Sequence, residues 1–366
     1  MQVSLKDIKK LFEEVAPLPL QESYDNSGLL VGDENSMISA ALVTLDVTEE
    51  VVAEAVAEGC NLIIAHHPAI FGNLKKVTAS DSTGRIIMEA IRNGIALYAV
   101  HTNFDNIEGG VNSILCQKLG ITGRQILKPM KEMLQKLVTF CPVQHADKVR
   151  EAMFMAGAGH IGKYDNCSFN AAGQGTFRAG ESANPFVGKT GELHFEDEIR
   201  VETIFPSFLQ SAVIKALLSA HPYEEVAYDI YNLQNEYHEA GAGMIGELHE
   251  ETDAREFLLK AKSVLGIGCI RHTALPAKKI KKVAVCGGAG SFLIRDAMAA
   301  GADIFLTGDI KYHDFFIPAG RLILADIGHY ESEQFTKELI CTLLKKKFPT
   351  FAHFIAGTLT NPVNYL

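Results

Sequence analysis

No apolar run in this sequence reaches the roughly 18 residues that a membrane-spanning helix needs. The first residues, MQVSLKDIKKLFEEVAPL, put acids and lysines on one face of an amphipathic helix, without the uninterrupted apolar core of a signal peptide. A cytoplasmic protein with no membrane partner is the expectation. Positive charge is in short supply: 34 Lys and Arg against 44 Asp and Glu leave a formal net charge of -10 at pH 7. With no basic stretch interleaved with aromatics, this disfavours nucleic acid as a partner. A disulfide framework is also missing, since the seven cysteines are odd in number, scattered, and embedded in apolar runs such as LVTFC and VAVCGG. They read as reduced, buried thiols. Nor is there a phosphate-binding loop of the form G-x-x-x-x-G-K-[ST]; the glycine-rich AAGQGTFRAG lacks that spacing and is expected to be a hairpin.

What the chain does have is core. At 366 residues, 47% hydrophobic and 21% charged, it suffices for about two domains. Its first and last thirds resemble each other. AALVTLDVT, NLIIAHHP and IALYAVHTNFD read as buried strands separated by helices, the first at 48–58; KKVAVCGGAG, DIFLTGDIKYHD and RLILADIGHYESE repeat the order, with a helix at 291–300. Each half is strand, helix, strand, helix, strand. Continuous apolar strands joined by helical crossovers predict mostly parallel sheets covered on both faces. The stretch between reads β-α-β-β-α-β, the order of a ferredoxin-like domain. The expected organisation is therefore an α/β parent domain of two related halves, residues 1–132 and 234–366, interrupted by a ferredoxin-like α+β insert at 133–233. The glycine-rich AGAGMIGEL, Ala240 to Leu248, reads as the hinge-like return to the parent.

In open parallel sheets, sites gather at the carboxyl ends of the strands, and every conspicuous polar cluster of the parent falls at such an end. His66 and His67 leave one strand side by side, and adjacent residues leaving a strand point in opposite directions, which suits two metal ions better than one. His101 and Asp105 end the next strand. His329 and Glu333 start a helix after the matching strand of the second half; at i and i+4 they share one face and can address a single point, with two carboxylate oxygens to bridge two ions. One histidine after a strand is more often a hydrogen-bonded structural group than a ligand, and an H-x-x-x-E pair on a helix is common. Three such clusters at strand ends of both halves favour metal. His66, His67, Asp105, His329 and Glu333 thus make a five-ligand set for two divalent ions, with positions left open for water. Zinc, iron, manganese and cobalt all suit these donors. His101 supports the ligands or shuttles a proton, as does His313. In TGDIKYHD, Asp309, Lys311 and His313 orient ligands or contact substrate, Lys311 as a phosphate holder. YDNSGL forms a turn in which Tyr24 and Asn26 can line the cavity. HPYEE, His221 to Glu225, closes a helix before a strand and reads as a turn.

Five motifs in order, YDNSGLLVG, AHHPAIF, HTNFD, TGDIKYHD and DIGHYESE, resemble those of the Nif-three-like family, whose bacterial members are called GTP cyclohydrolase 1 type 2 homologs. The middle segment is similar to the PII- and CutA-like insert of the longer members. The resemblance covers nearly the whole chain. It implies a dinuclear centre with zinc as the usual ion, in which His67 and Asp105 hold one ion, His66 and His329 the other, and Glu333 both. It also implies a toroidal homohexamer and metal-assisted hydrolysis of a nucleotide-like small molecule. The alternative is a ring-forming metal-binding regulator or scaffold whose insert senses a small ligand.

Overall fold

The computed structural model describes residues 3–277 and 279–366 and divides into two compact units, one made of 3–129 with 239–366 and the other of Met130–His238. The insert was expected at 133–233. Met1 and Gln2 of the expected N-terminal helix lie outside the described residues. The helix itself, α1 (Leu5–Val15), begins at a capping box: Asp7 N–H donates to Ser4 Oγ while the Asp7 carboxylate accepts from the Ser4 backbone.

In the first half of the larger unit, β1 (Gly28–Val31), β2 (Ala40–Thr44), α2 (Glu49–Ala57), β3 (Leu62–Ala65), α3 (Ser82–Arg92) and β4 (Ala96–Ala99) follow in order. Strands β2, β3 and β4 pair in parallel, and all their residues are buried, as all-apolar strands between helical layers must be. Helix α4 (Val111–Leu119) and strand β5 (Ile121–Met130) then lead to the smaller unit.

There β6 (Leu134–Pro142), α5 (Ala146–Met155), β7 (Phe169–Arg178), β8 (Leu193–Pro206), α6 (Gln210–Ala220) and β9 (Tyr228–Leu233) form an antiparallel sheet in the order β9-β6-β8-β7. Val149, Met153, Val213 and Leu217 of the helices pack on Leu137, Cys141, Val201 and Phe205 of one sheet face. The hairpin expected inside AAGQGTFRAG is instead a single strand, β7, paired with β8 from Phe169↔Glu202 to Arg178↔Leu193. The breakers that make the reversal, Gly180, Pro185, Gly188 and Gly191, all follow Arg178.

The chain returns through β10 (Tyr237–Thr252), α7 (Ala254–Leu265), β11 (Ile280–Ala289), α8 (Ile294–Ala299), β12 (Ile304–Gly308), β13 (Ile323–Asp326), α9 (His329–Glu333), α10 (Thr336–Lys347) and β14 (Ala352–Ile355). AGAGMIGEL, expected as a hinge, lies within β10. Its glycines serve close packing: a Cβ on Gly241 would come within 2.1 Å of the Lys128 carbonyl oxygen. Strands β11, β12 and β13 are parallel, and β10 runs antiparallel to β11. The second half departs from its expected pattern between β12 and β13, where a 3-10 turn, Tyr312–Phe316, replaces the crossover helix. Pro318 and Gly320 follow it at once and stop it from lengthening. β14 joins the first half, giving sheets ordered β14-β2-β3-β4-β1 and, after the two-residue strand Arg271–His272, β13-β12-β11-β10-β5. Among the described residues no helix is long and apolar enough to cross a membrane.

Phe305 in β12 is fully buried, with Ala284, Ile294 and Leu324 in its core cluster. Phe305→Ala is expected to cost about 3–5 kcal/mol, read as faster native-state hydrogen exchange of the β11–β13 amides. Unchanged protection would mean that this cluster does not hold the second sheet together.

Candidate metal centre

Three strands of the first half deliver polar groups just past their carboxyl ends: Asp46 after β2, His66 and His67 after β3, His101 after β4. The histidine pair stays in register with the neighbouring strand, His66 N–H donating to Thr44 O and His67 N–H to Leu45 O. From the second half come Gly287 and Gly288 in β11, Asp309 after β12, and His329 with Glu333 on α9.

His66 is completely buried, and its Nδ1 lies 2.7 Å from the Val100 carbonyl oxygen. A carbonyl only accepts, so Nδ1 carries the proton and Nε2 is a bare acceptor. That Nε2 faces Asp105 Oδ1 at 3.6 Å and Glu333 Oε1 at 3.7 Å. His66 Nε2 and Asp105 Oδ1 are both buried and have no hydrogen-bond partner among the described residues. Buried acceptors pointing at one another are costly unless something positive lies between them. Glu333, 3% exposed, turns its other oxygen to the second half of the cluster: Oε2 is 3.0 Å from His67 Nε2 and 3.1 Å from His329 Nε2. The donor atoms of His66, Asp105 and Glu333 lie within 4.8 Å of one another, as do those of His67, His329 and Glu333, and each group can hold a metal ion.

This geometry corrects the partition implied by the resemblance. Asp105 stands with His66, and His329 with His67. His66 is turned toward Asp105 because its other nitrogen is anchored on Val100; His67 is turned toward His329 because its Nδ1 is anchored on Asp46 Oδ1 at 2.7 Å.

Each remaining imidazole has a comparable anchor. His329 Nδ1 is 2.8 Å from Asp309 Oδ2, and Asp309 has a left-handed backbone with φ of 54°, a conformation that Asp tolerates better than most residues. His101 Nδ1 is 2.6 Å from Asp25 Oδ1, whose other oxygen accepts from the Thr102 amide and the Ser27 hydroxyl. Thr360, near the chain end, donates to Asp46 Oδ2 at 2.7 Å. A ring nitrogen of His101 also falls within 4.8 Å of nitrogens of His66 and His67. Such outer partners fix tautomer and ring orientation. Glycine supplies the remaining space: Gly288 has φ of 62°, and a Cβ there would stand 2.2 Å from Glu333 Oε1.

The electrostatics follow from this packing. Burial disfavours charge on His67, but the hydrogen bonds to Asp46 and Glu333 outweigh it and raise its pKa to about 10. For His329, burial is likewise overcome, by Glu333 and Asp309, and the pKa rises to about 9. Burial dominates at His66 and lowers its pKa. Asp105 is pushed well above the usual carboxylate range by burial and by the Glu333 charge, whereas the surrounding imidazoles hold Glu333 well below it in spite of its burial. Protons on His67 and His329 therefore occupy the place of cations and must leave when an ion binds.

The cluster opens into a cavity of about 1380 Å³, lined also by Tyr24, Phe71, Arg271 and Tyr365. Of the residues singled out in the sequence, His67, His101, Asp105, Asp309, His329, Glu333 and Tyr24 line it, and the fully buried His66 does not. Asn26 does not; its amide donates to Ile70 O. Lys311 and His313 are exposed and lie outside the lining, the His313 ring packing on Tyr312 and Phe316. Sequence reasoning missed Asp25, Asp46, Arg271 and the clearance glycines. Asp46 carried a usable signal, a carboxylate just beyond a buried strand. Asp25 sits between the two residues of YDNSGL that were chosen.

A model of the family described as Duf34/NIF3 (NGG1p interacting factor 3) matches residues 3–362. Two similar curated proteins are both named GTP cyclohydrolase 1 type 2 homolog. That of Halalkalibacterium halodurans is 42% identical over 93% of both chains, and that of Bacillus subtilis 39% identical over 100% of this chain and 99% of its own. A Bacillus cereus protein related to NIF3 has a crystal structure that superposes with a TM-score of 0.85 at 40% identity, covering 100% of this chain and 99% of that one.

Two outcomes are expected. Asp46→Asn should lower ion affinity roughly 10- to 100-fold without unfolding the protein, read by competition with a chromophoric chelator; undiminished affinity would detach Asp46 from the site. Because ion binding displaces protons held by His67 and His329, affinity should rise with pH from 6 toward 9, and a flat profile would contradict this proton accounting.

Proposed function

Because the chain belongs to the DUF34/NIF3 family, we propose that it is a dinuclear metal protein acting as a metal-dependent hydrolase on a nucleotide-like substrate. The observation that carries the reading is the buried, unpartnered pair of acceptors, His66 Nε2 and Asp105 Oδ1, beside a carboxylate that reaches two further imidazoles with its second oxygen. His66, Asp105 and Glu333 would hold one ion and His67, His329 and Glu333 the other. Zinc is the first choice, with iron, manganese and cobalt compatible with the same donors. Ions held there supply Lewis acidity and lower the pKa of water, the chemistry of hydrolysis near neutral pH.

The chain's own residues supply the rest. His101, anchored on Asp25, is the group best supported for holding and returning a proton, and the exposed position of His313 outside the cavity lining argues against the same role there. Phe71, with its ring 5.5 Å from that of His101, and Tyr24 offer aromatic faces for a flat base. Arg271, whose guanidinium lies on the cavity wall while paired with Asp326, has better support than Lys311 for attracting a phosphate. In the smaller unit, the strand order β9-β6-β8-β7 supports the reading of a ferredoxin-like insert. Assembly into a homohexameric ring and a cytoplasmic location complete the proposal.

The test loads purified protein with zinc, manganese or iron and offers a nucleotide panel that includes GTP, with products identified by mass spectrometry. Turnover is expected with at least one ion, and Glu333→Gln should reduce it by roughly 100-fold or more. Absence of turnover with every ion, or a variant as active as the wild type, would end the hydrolase reading.

A further inference from the structure

The smaller unit contains a second cavity, of about 750 Å³, within the usual range for a small-molecule site. It lies on the sheet face that the helices leave open. Along β8, Val201 and Phe205 point into the helix-covered core, so Glu198 belongs to the opposite face by strand alternation. A carboxylate on an uncovered sheet face is ordinarily solvated. Glu198 is only 8% exposed.

Two features bury it. On one side are rings: Tyr223 donates its hydroxyl to Glu198 Oε1 at 2.8 Å, and the rings of Phe177 and Phe186 each lie 6.2 Å from that of Tyr223. On the other is bare backbone: β7 presents Gly173 directly opposite Glu198 and Gly175 two residues on. A Cβ on Gly175 would stand 2.1 Å from Glu198 Oε2, whereas a Cβ on Gly173 would meet nothing within 4 Å. Gly175 thus makes room for the carboxylate, and Gly173 leaves open space beside it.

Among the described residues no cation pairs with the carboxylate. Its one hydrogen bond among the described residues comes from a neutral phenol, and Oε2, on the cavity wall, accepts none. Arg200, two residues along the same face, is engaged with Glu202 at 2.9 Å. A mostly buried carboxylate with one neutral donor, its second oxygen open only to the cavity, is poorly compensated. Aromatic faces around it attract positive charge. We propose that this cavity is a binding site for a small organic cation of the amine or amidine class, its N–H groups donating to Glu198 Oε2 and its body lying among Tyr223, Phe177 and Phe186 over the Gly173 wall. The site is chemically independent of the metal centre, so it can be tested whether or not hydrolysis is observed.

The experiment titrates the intact 366-residue chain, followed by calorimetry and ligand-observed NMR, with benzamidinium and tetramethylammonium as cationic probes and benzoate as the anionic counterpart of the first. The wild type should bind benzamidinium at sub-millimolar to millimolar concentration and benzoate at least tenfold more weakly. Glu198→Gln should weaken benzamidinium at least tenfold. Gly173→Val, which fills the open space yet keeps the carboxylate, should do the same, and provides the test if the Glu198 variant does not fold. Glu333→Gln should leave this binding unchanged, which separates it from adventitious capture by the carboxylates of the larger cavity. Failure of either cation to bind, benzoate binding equally well, or affinity surviving both Glu198→Gln and Gly173→Val in folded protein would overturn the proposal.

Discussion

The larger unit is organised around one electrostatic constraint, the burial of the Glu333 carboxylate in the midst of imidazoles. A buried charge must be matched locally, and here the match is spread over His66, His67 and His329, none of which could turn its nitrogen toward Glu333 without an anchor behind it. Val100 O holds His66, Asp46 holds His67 and Asp309 holds His329. Two of the three anchors are themselves carboxylates, which raises the basicity of the imidazoles they hold; the third is a carbonyl, and the imidazole on it is the one that stays neutral. The cluster is therefore asymmetric: a neutral nitrogen faces an orphaned carboxylate oxygen on one side, and two charged imidazoles converge on one oxygen on the other. The same five groups can release two protons and accept positive ions in their place.

That constraint explains why the fold needs two sheets. Parallel strands align their carboxyl ends, so β2, β3 and β4 deliver Asp46, His66, His67 and His101 to one edge, but all from one side. The opposing carboxylate comes from α9 in the second half, and its approach depends on β11 having glycine where a side chain would collide with it. Asn112 ties the two halves at this point: its amide donates to Asp105 O, and its carbonyl accepts from Gly287 N–H, so the backbone that carries one ligand is joined to the backbone that clears space for another.

The ligands could be read from the sequence because buried parallel strands are continuous apolar runs whose ends are easily located, and His and Glu at such ends stand out. Their partition could not. Whether His66 or His67 meets Asp105 depends on what each Nδ1 finds behind it, and those partners, Val100 and Asp46, lie just past the ends of neighbouring strands, 34 and 21 residues away. Lys311 and His313 were misleading for a related reason. They follow β12 by three and five residues, close enough to look like strand-end groups, but the left-handed turn at Asp309 leads the chain into the short 3-10 run, and of these residues only Asp309 lines the cavity. The insert's core and element order were legible from helical and strand periodicity, whereas its hairpin was misplaced because β7 carries Gly173 and Gly175 in its interior and turn residues alone do not reveal where a strand reverses.

Glycine in β7 also connects the two units at the level of physics. Both contain a carboxylate buried at a place where backbone has been left bare for it, Gly288 for Glu333 and Gly175 for Glu198. What differs is the company. Around Glu333 the neighbours are nitrogen and oxygen donors that can share an inorganic ion. Around Glu198 they are a phenol and two phenyl rings, which cannot satisfy the coordination of such an ion but can surround an organic one. A carboxylate oxygen short of a partner is the same signal in both places, Asp105 Oδ1 beside Glu333 and Glu198 Oε2 in the smaller unit, and the chemistry of the surrounding side chains decides which cation it calls for.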